Sequence, residues 1–291
     1  MLESELEPPN KRNDSLSTEQ QVLIALRFYA TGNFQMTDGD LIGVHQTTAG
    51  RIAHKVSKAT ARLRQQFILF PSPDQLEVEK KSFYKISHFP GVIVVIDGTH
   101  IRVQRPSGTS SELYRNQKDY FSLNVQIMFD SKLRVRDIVT HWYGSAHDSR
   151  IFRNSLLYDK LEVLPPGSWL PGDSGYPCLP CLLTPFLSPS DAAQRRYNKS
   201  LTITRNCAER GIGVLKRRFP AIKSGPRVQI ENSQPIIVAC AILHNIAINN
   251  KEPEFEGNEL FSHPPAFADQ NVNRRGNAVR QSVVEQYFTN F

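Results

Sequence analysis

Residues 91–104, GVIVVIDGTHIRVQ, carry the most restrictive pattern in the chain, a β-branched apolar run that stops at an aspartate and a glycine. A run of that length reads as a buried strand. A carboxylate at the end of such a strand, here Asp97, stands where sites are commonly built. Two more strand signals follow, YFSLNVQIMFD and VRDIVTHWYG, separated by the turn-like Asp130-Ser-Lys-Leu, so an antiparallel meander is expected. The pattern then changes period. HDSRIFRNSLLYDKL reads as one helix, with Asp148 or Ser149 at its cap and Ile151, Phe152, Leu156 and Leu157 as its apolar stripe. SWLPGDSGYP reads as a fourth strand ending at Asp173, and TRNCAERGIGVLKRRF as a basic helix that carries Glu209. The order is three strands, helix, strand, helix. SQPIIVACAILHNIAINN adds an apolar helix that closes the core, and its His244 is expected to be a satisfied core residue rather than a ligand.

Charge narrows the class of partner. Between Ala193 and Val228 ten Lys or Arg face a single acid, Glu209, a local excess of nine that exceeds the +7 of the whole chain. Basic character so concentrated favours a polyanion, although charge alone does not separate nucleic acid from an acidic membrane surface. The first 20 residues lack an apolar h-region, and no stretch approaches the roughly 18 apolar residues of a membrane span. A soluble intracellular protein without a secretory signal is therefore expected. Four cysteines, Cys178, Cys181, Cys207 and Cys240, are too few for a disulfide framework in 291 residues. The pair Cys178 and Cys181 lacks the further ligands that zinc needs.

Before the first strand, residues 1–16 read as a disordered tail. Residues 17–66 read as a small all-α module: a capped helix from Ser17, a short helix, a turn at Gly43, and a second helix starting near His45 to Thr48. This is helix-turn-helix grammar, and Gln46, Thr47, Arg51 and Lys55 would face DNA from the second helix. A helical bundle with solvated basic residues fits the same pattern. Residues 67–90 read as a proline-marked linker, 91–250 as the main α/β domain, and 251–291 as a polar tail with a short C-terminal helix.

Breaking a phosphodiester requires charge stabilisation on attacking and leaving oxygens, which two divalent cations about 3.5–4 Å apart can supply. Hard cations select carboxylates over His or Cys. Asp97, Asp173 and Glu209 lie on elements of the right type and order for such a cluster. Asp148, read from its position alone, is a helix cap.

The blocks IDGTH, AHDSRIF, GDSGYP and RNCAERGIGVLKRRF together resemble the PIF/Harbinger transposases, over most of residues 20–250. The resemblance implies an α/β, ribonuclease-H-like mixed sheet flanked by helices, with a small N-terminal all-α helix-turn-helix module. It implies a catalytic triad of Asp97, Asp173 and Glu209, with Asp148 as a further metal ligand, and two Mg²⁺ or Mn²⁺ ions as cofactors. Arg51, Lys55, Arg210, Lys216, Arg217 and Arg218 are then expected at DNA, while His100 and His147 sit beside acids as hydrogen-bonding support. It further implies a separate Myb/SANT-like partner protein, and nuclear localisation with some protein in the cytoplasm. A homodimer is among the expected assemblies. Two other readings share parts of this pattern. Asp-Gly-Thr also occurs in haloacid-dehalogenase-type phosphatases, but their nucleophile position is Val95 here. A domesticated, catalytically silent DNA-binding or partner-binding regulator would keep the same carboxylates.

Overall fold

The computed structural model describes residues 2–7, 16–32, 43–253 and 273–289. The helices are α1 (Glu3–Leu6), α2 (Thr18–Thr31), α3 (Gln46–Arg62), α4 (Arg64–Phe67) and α5 (Pro73–Ser87) before the sheet. Then come β1 (Val95–Arg102), a 3₁₀ turn at Thr109–Tyr114, β2 (Ser122–Phe129) and β3 (Val135–Tyr143). They are followed by α6 (Asp148–Arg153), α7 (Leu156–Glu162), β4 (Leu170–Pro171) and β5 (Leu182–Leu183). The chain closes with α8 (Ala192–Arg218), α9 (Pro220–Lys223), α10 (Ile230–Asn249) and α11 (Arg274–Tyr287).

The first three strands form the expected antiparallel meander, in the order β1-β2-β3. Every residue of β2 is buried, as befits the middle strand of a sheet covered on both faces. β4 pairs in parallel with β5. It joins the chain just ahead of β1 through a parallel bridge between Val92 and Trp169 and through backbone bonds Trp169 N to Gly91 O and Ile93 N to Trp169 O. The strands therefore lie side by side as β3-β2-β1-β4-β5 in a mixed α/β arrangement. α8 packs along β1 and β2, coming so close that a methyl group on Gly211 would meet the Phe129 ring at 2.7 Å.

Several expectations need correction. Asp97 is the third residue of β1, not its end, because pairing with β2 continues to Arg102↔Ser122. The single helix expected after the meander is two, broken at Asn154 and Ser155. There the Asn154 amide donates to Arg150 O and the Ser155 hydroxyl to Phe152 O, competing with the helical ladder. Within the linker expected over residues 67–90 lies the 15-residue α5, started by a Ser72/Gln75 capping box with Pro73 in the first turn. In the tail expected over residues 1–16, Glu3–Leu6 make one helical turn and Leu6 is buried. The short helix expected before Gly43 falls on residues outside those described.

α2 begins at a capping box of Ser17 with Gln20, and α3 at a His45 cap. α3 lies against α2 and α10, and its buried residues Ala49, Ile52, Ala53 and Val56 belong to the same hydrophobic cluster as Val95, Val125 and Ile212. A second cluster, containing Ile93, Ile96, Phe152 and Leu170, fills the space under α6, α7 and β4. From α10, His244 is fully buried in the core and bonds through Nε2 to the carbonyl of Leu133. Its neighbour Asn245 accepts from Val135 N at 2.7 Å and donates to Val135 O and Phe67 O, both at 2.8 Å. Among the described residues no helix is long and apolar enough to cross a membrane.

Candidate active site

Alternation along β1 puts Asp97 on the same face as Thr99, whose hydroxyl receives the Lys216 ammonium of α8. Asp97 therefore faces α8, and it is 3% exposed. Its Oδ1 accepts from Gly98 N, while Oδ2 is buried with no hydrogen-bond partner among the described residues. An orphaned carboxylate oxygen in a native interior calls for an explanation. Burial pushes its pKa up to about 8, with Asp173 and Asp148 adding to the rise and Arg205 and the Gly98 N–H opposing it.

Asp148 reaches the same place from the other face of the sheet. It does not cap α6: His147 is the N-cap residue, and no side chain makes the capping bond. Its carboxylate turns instead to the sheet, where Oδ1 accepts from Asn124 Nδ2 at 3.0 Å. It rests over Gly98, and a Cβ at that position would lie 2.6 Å from Asp148 Oδ1. The absence of a side chain at Gly98 is thus what lets Asp148 settle beside Asp97. Burial and Asp173 raise the Asp148 pKa to about 6, against the Asn124 hydrogen bond and Arg205.

Asp173 follows β4 and accepts from Gly175 N at 2.9 Å, a local turn whose backbone also receives Tyr176 N. Tyr176 is 2% exposed, and its hydroxyl has no partner. Burial first, and then Asp148, Asp173 and Asp97, push its pKa well above the usual range. Glu209 is half-buried on α8. One turn before it, Arg205 Nη2 stands 3.7 Å from Asp97 Oδ1 and 3.9 Å from Glu209 Oε1. Among the described residues, no three His, Cys, Asp or Glu side chains come close enough to share one ion. Bare carboxylates repel one another, and a cation is what would draw them together.

The expected DNA-contacting residues divide into two sets. Arg51 and Arg210 are exposed, and Arg217 and Arg218 half-buried. Lys55 is exposed too, with its ammonium donating to Leu6 O at 2.9 Å. Lys216 is 8% exposed, donating to Thr99 Oγ1 at 2.7 Å and to His100 O, so it staples α8 to β1. Burial and Lys118 lower its pKa to about 8 despite the pull of Asp97. His100 Nδ1 is bonded to Ser122 Oγ, and burial keeps its pKa near about 4, while His147 is exposed. Cys207 and Cys240 are buried, and Cys178 and Cys181 half-buried.

Sequence reasoning missed Gly98, Asn124, Tyr176 and Arg205. Each had a signal. Asn124 is a polar residue inside an apolar strand, Gly98 follows the aspartate directly, Tyr176 lies in the GDSGYP block, and Arg205 precedes Glu209 by one helical turn.

Comparison with known proteins gives these features a family. Residues 96–245, which include all four carboxylates, match the model described as DDE superfamily endonuclease. HARBI1 of Mus musculus, named as a nuclease, is 32% identical over 306 residues, covering 99% of this chain and 85% of its own. The Homo sapiens HARBI1 is 32% identical over 269 residues, 91% of this chain and 75% of that one. A more distant relative in Arabidopsis thaliana, named antagonist of like heterochromatin protein 1, is 29% identical over 80% of this chain and 63% of its own. No solved structure matches significantly. The chain belongs to the DDE superfamily endonucleases, alongside the Harbinger transposase-derived nuclease HARBI1.

Proposed function

We propose that this chain is a metal-dependent DNA endonuclease of transposase origin, with residues 91–250 forming a ribonuclease-H-like nuclease domain. The strand order β3-β2-β1-β4-β5, with acids on β1, after β4 and on the long helix that packs against them, supports the fold assignment. The observation that carries the functional reading is a buried Asp97 oxygen with no partner among the described residues, on an acid whose pKa is raised by burial and further by Asp173 and Asp148. Oxygen-only donors fit Mg²⁺ or Mn²⁺. Asp97, Asp148, Asp173 and Glu209 would hold the metal, which when bound would stabilise charge on the attacking and leaving oxygens of the phosphodiester.

The remaining groups act on those acids. Asn124 holds the Asp148 carboxylate against the sheet. Lys216 locks Glu209's helix to Asp97's strand through Thr99. Arg51, Arg210, Arg217 and Arg218 are the candidates for phosphate contacts, and we place a Myb/SANT-like partner and nuclear residence in the same proposal.

Supercoiled plasmid incubated with Mg²⁺, Mn²⁺ or EDTA is expected to be nicked only in metal. Asp97→Ala and Glu209→Ala are each expected to lose roughly a thousandfold or more, since several kcal/mol of charge stabilisation are removed. Nicking that persists equally in both variants would sink the assignment. A parent silent in every metal, with or without a Myb-like partner, would favour a regulator that has kept its acids.

The Gly98–Asp148 contact gives a second test. Gly98→Ala puts a methyl group where the Asp148 carboxylate lies, and is expected to weaken Mn²⁺ binding by about 10–100-fold, the range seen when residues supporting a metal site are changed. Titration calorimetry on the folded variant reads this directly, and unchanged affinity would remove Asp148 from the ligand set.

A further inference from the structure

Arg205 is unusual among the charges of this site. Its guanidinium lies between acids on two different elements, Asp97 of β1 and Glu209 of α8, at 3.7 and 3.9 Å. A guanidinium paired for stability ordinarily forms parallel N–H···O bonds at about 2.7–2.9 Å. Here both contacts are longer than a hydrogen bond, the side chain is only 15% exposed, and Nε is buried with no partner among the described residues. Asp97 Oδ2, next to it, is equally unpartnered. The contact supplies positive charge without using the directional bonds of either group.

We propose that Arg205 is a resident cation, set between Asp97 and Glu209 in the metal-free protein and yielding that position when a divalent ion binds. The inference rests on the metal reading of this site. A cation placed between two acids lowers the affinity of any second cation that must approach the same oxygens. The same charge keeps the buried acids tolerable when no ion is present. Arg205 therefore sets the metal concentration at which the site fills, and its removal has opposite effects on the two states.

The test needs no DNA. Mn²⁺ binding to the full chain is measured by the electron paramagnetic resonance signal of free Mn²⁺ and by calorimetry, for the parent, Arg205→Met and Arg205→Lys. Melting in EDTA and far-ultraviolet circular dichroism are recorded alongside. Arg205→Met is expected to bind Mn²⁺ at least about tenfold more tightly and to melt lower in EDTA, with Arg205→Lys close to the parent. Unchanged or weaker Mn²⁺ binding by a folded Arg205→Met would overturn the proposal while leaving the metal site intact. If neither parent nor variant binds Mn²⁺, the metal reading itself fails and takes the proposal with it. Should Arg205→Met not fold, the ¹⁵Nε resonance of Arg205 in the parent, assigned through Arg205→Lys, decides. It is expected to shift on adding Mg²⁺ and to stay fixed in Asp97→Asn, and a resonance blind to Mg²⁺ in the parent would count against displacement.

Discussion

In EDTA, the melting temperature is expected to fall as pH rises from about 4 to about 8, contrary to the usual behaviour of proteins with salt-bridged carboxylates. Asp97 and Asp148 have folded pKa values of about 8 and about 6, each raised from 3.8. A group whose pKa is higher folded than unfolded binds its proton more tightly in the folded state. Its stabilisation is complete below the unfolded pKa and is lost as pH climbs through the folded one. Asp148 should contribute its loss up to about 6, and Asp97 up to about 8. Together they represent on the order of several kcal/mol, or roughly 10 °C for a chain of this size. Mg²⁺ requires the deprotonated acids, so its stabilising effect should be smallest at low pH and largest near about pH 8. Asp97→Asn should flatten the EDTA profile and blunt the Mg²⁺ response. A parent profile flat across that window would mean that the acids do not share a dry site.

Asp130→Ala is expected to cost about 3–5 kcal/mol, because it leaves buried Arg136 and half-buried Arg134 without their hydrogen-bonded anion. Asp130 is 0% exposed and accepts from Lys132 N and Arg134 N, and from Arg134 Nε and Arg136 Nε at 2.7 Å each. The two guanidinium groups also reach Glu79 of α5, at 3.6 and 3.7 Å, while Glu79 accepts from Ser131 N and Oγ. Asp130→Asn is expected to be nearly as harmful, since an amide N–H turned toward two guanidinium groups cannot accept from them. Urea denaturation of both variants checks this. A loss below about 1 kcal/mol in either would show the network to be solvated rather than buried.

Asp130 also shows where sequence reading succeeds and stops. The turn at Asp130-Ser-Lys-Leu is legible because it is local. Its partner Glu79 lies 52 positions upstream of Ser131, in a stretch read as a linker, and no period or propensity connects the two. The site divides in the same way. Asp97, Asp173 and Glu209 are visible because strand and helix patterns surround each of them. Asp148 looked like a cap because sequence shows that a helix starts there but not that Gly98 opens a space opposite it. Lys216 looked like a surface contact because helix spacing shows a face and not what covers it. β5 was passed over because two paired residues inside a proline-rich stretch carry too little alternation to register.

Asn245 has a consequence for how copies of this chain could meet. β3 is the outer strand of the meander, and an outer strand exposes backbone groups that can template a strand from another molecule. At Val135 both of those groups are taken by one side-chain amide, which mimics the backbone of a neighbouring strand. The sheet is plugged there from within. Intermolecular strand addition at Val135, the route toward fibrous aggregation, would first have to evict a buried amide from all three of its bonds.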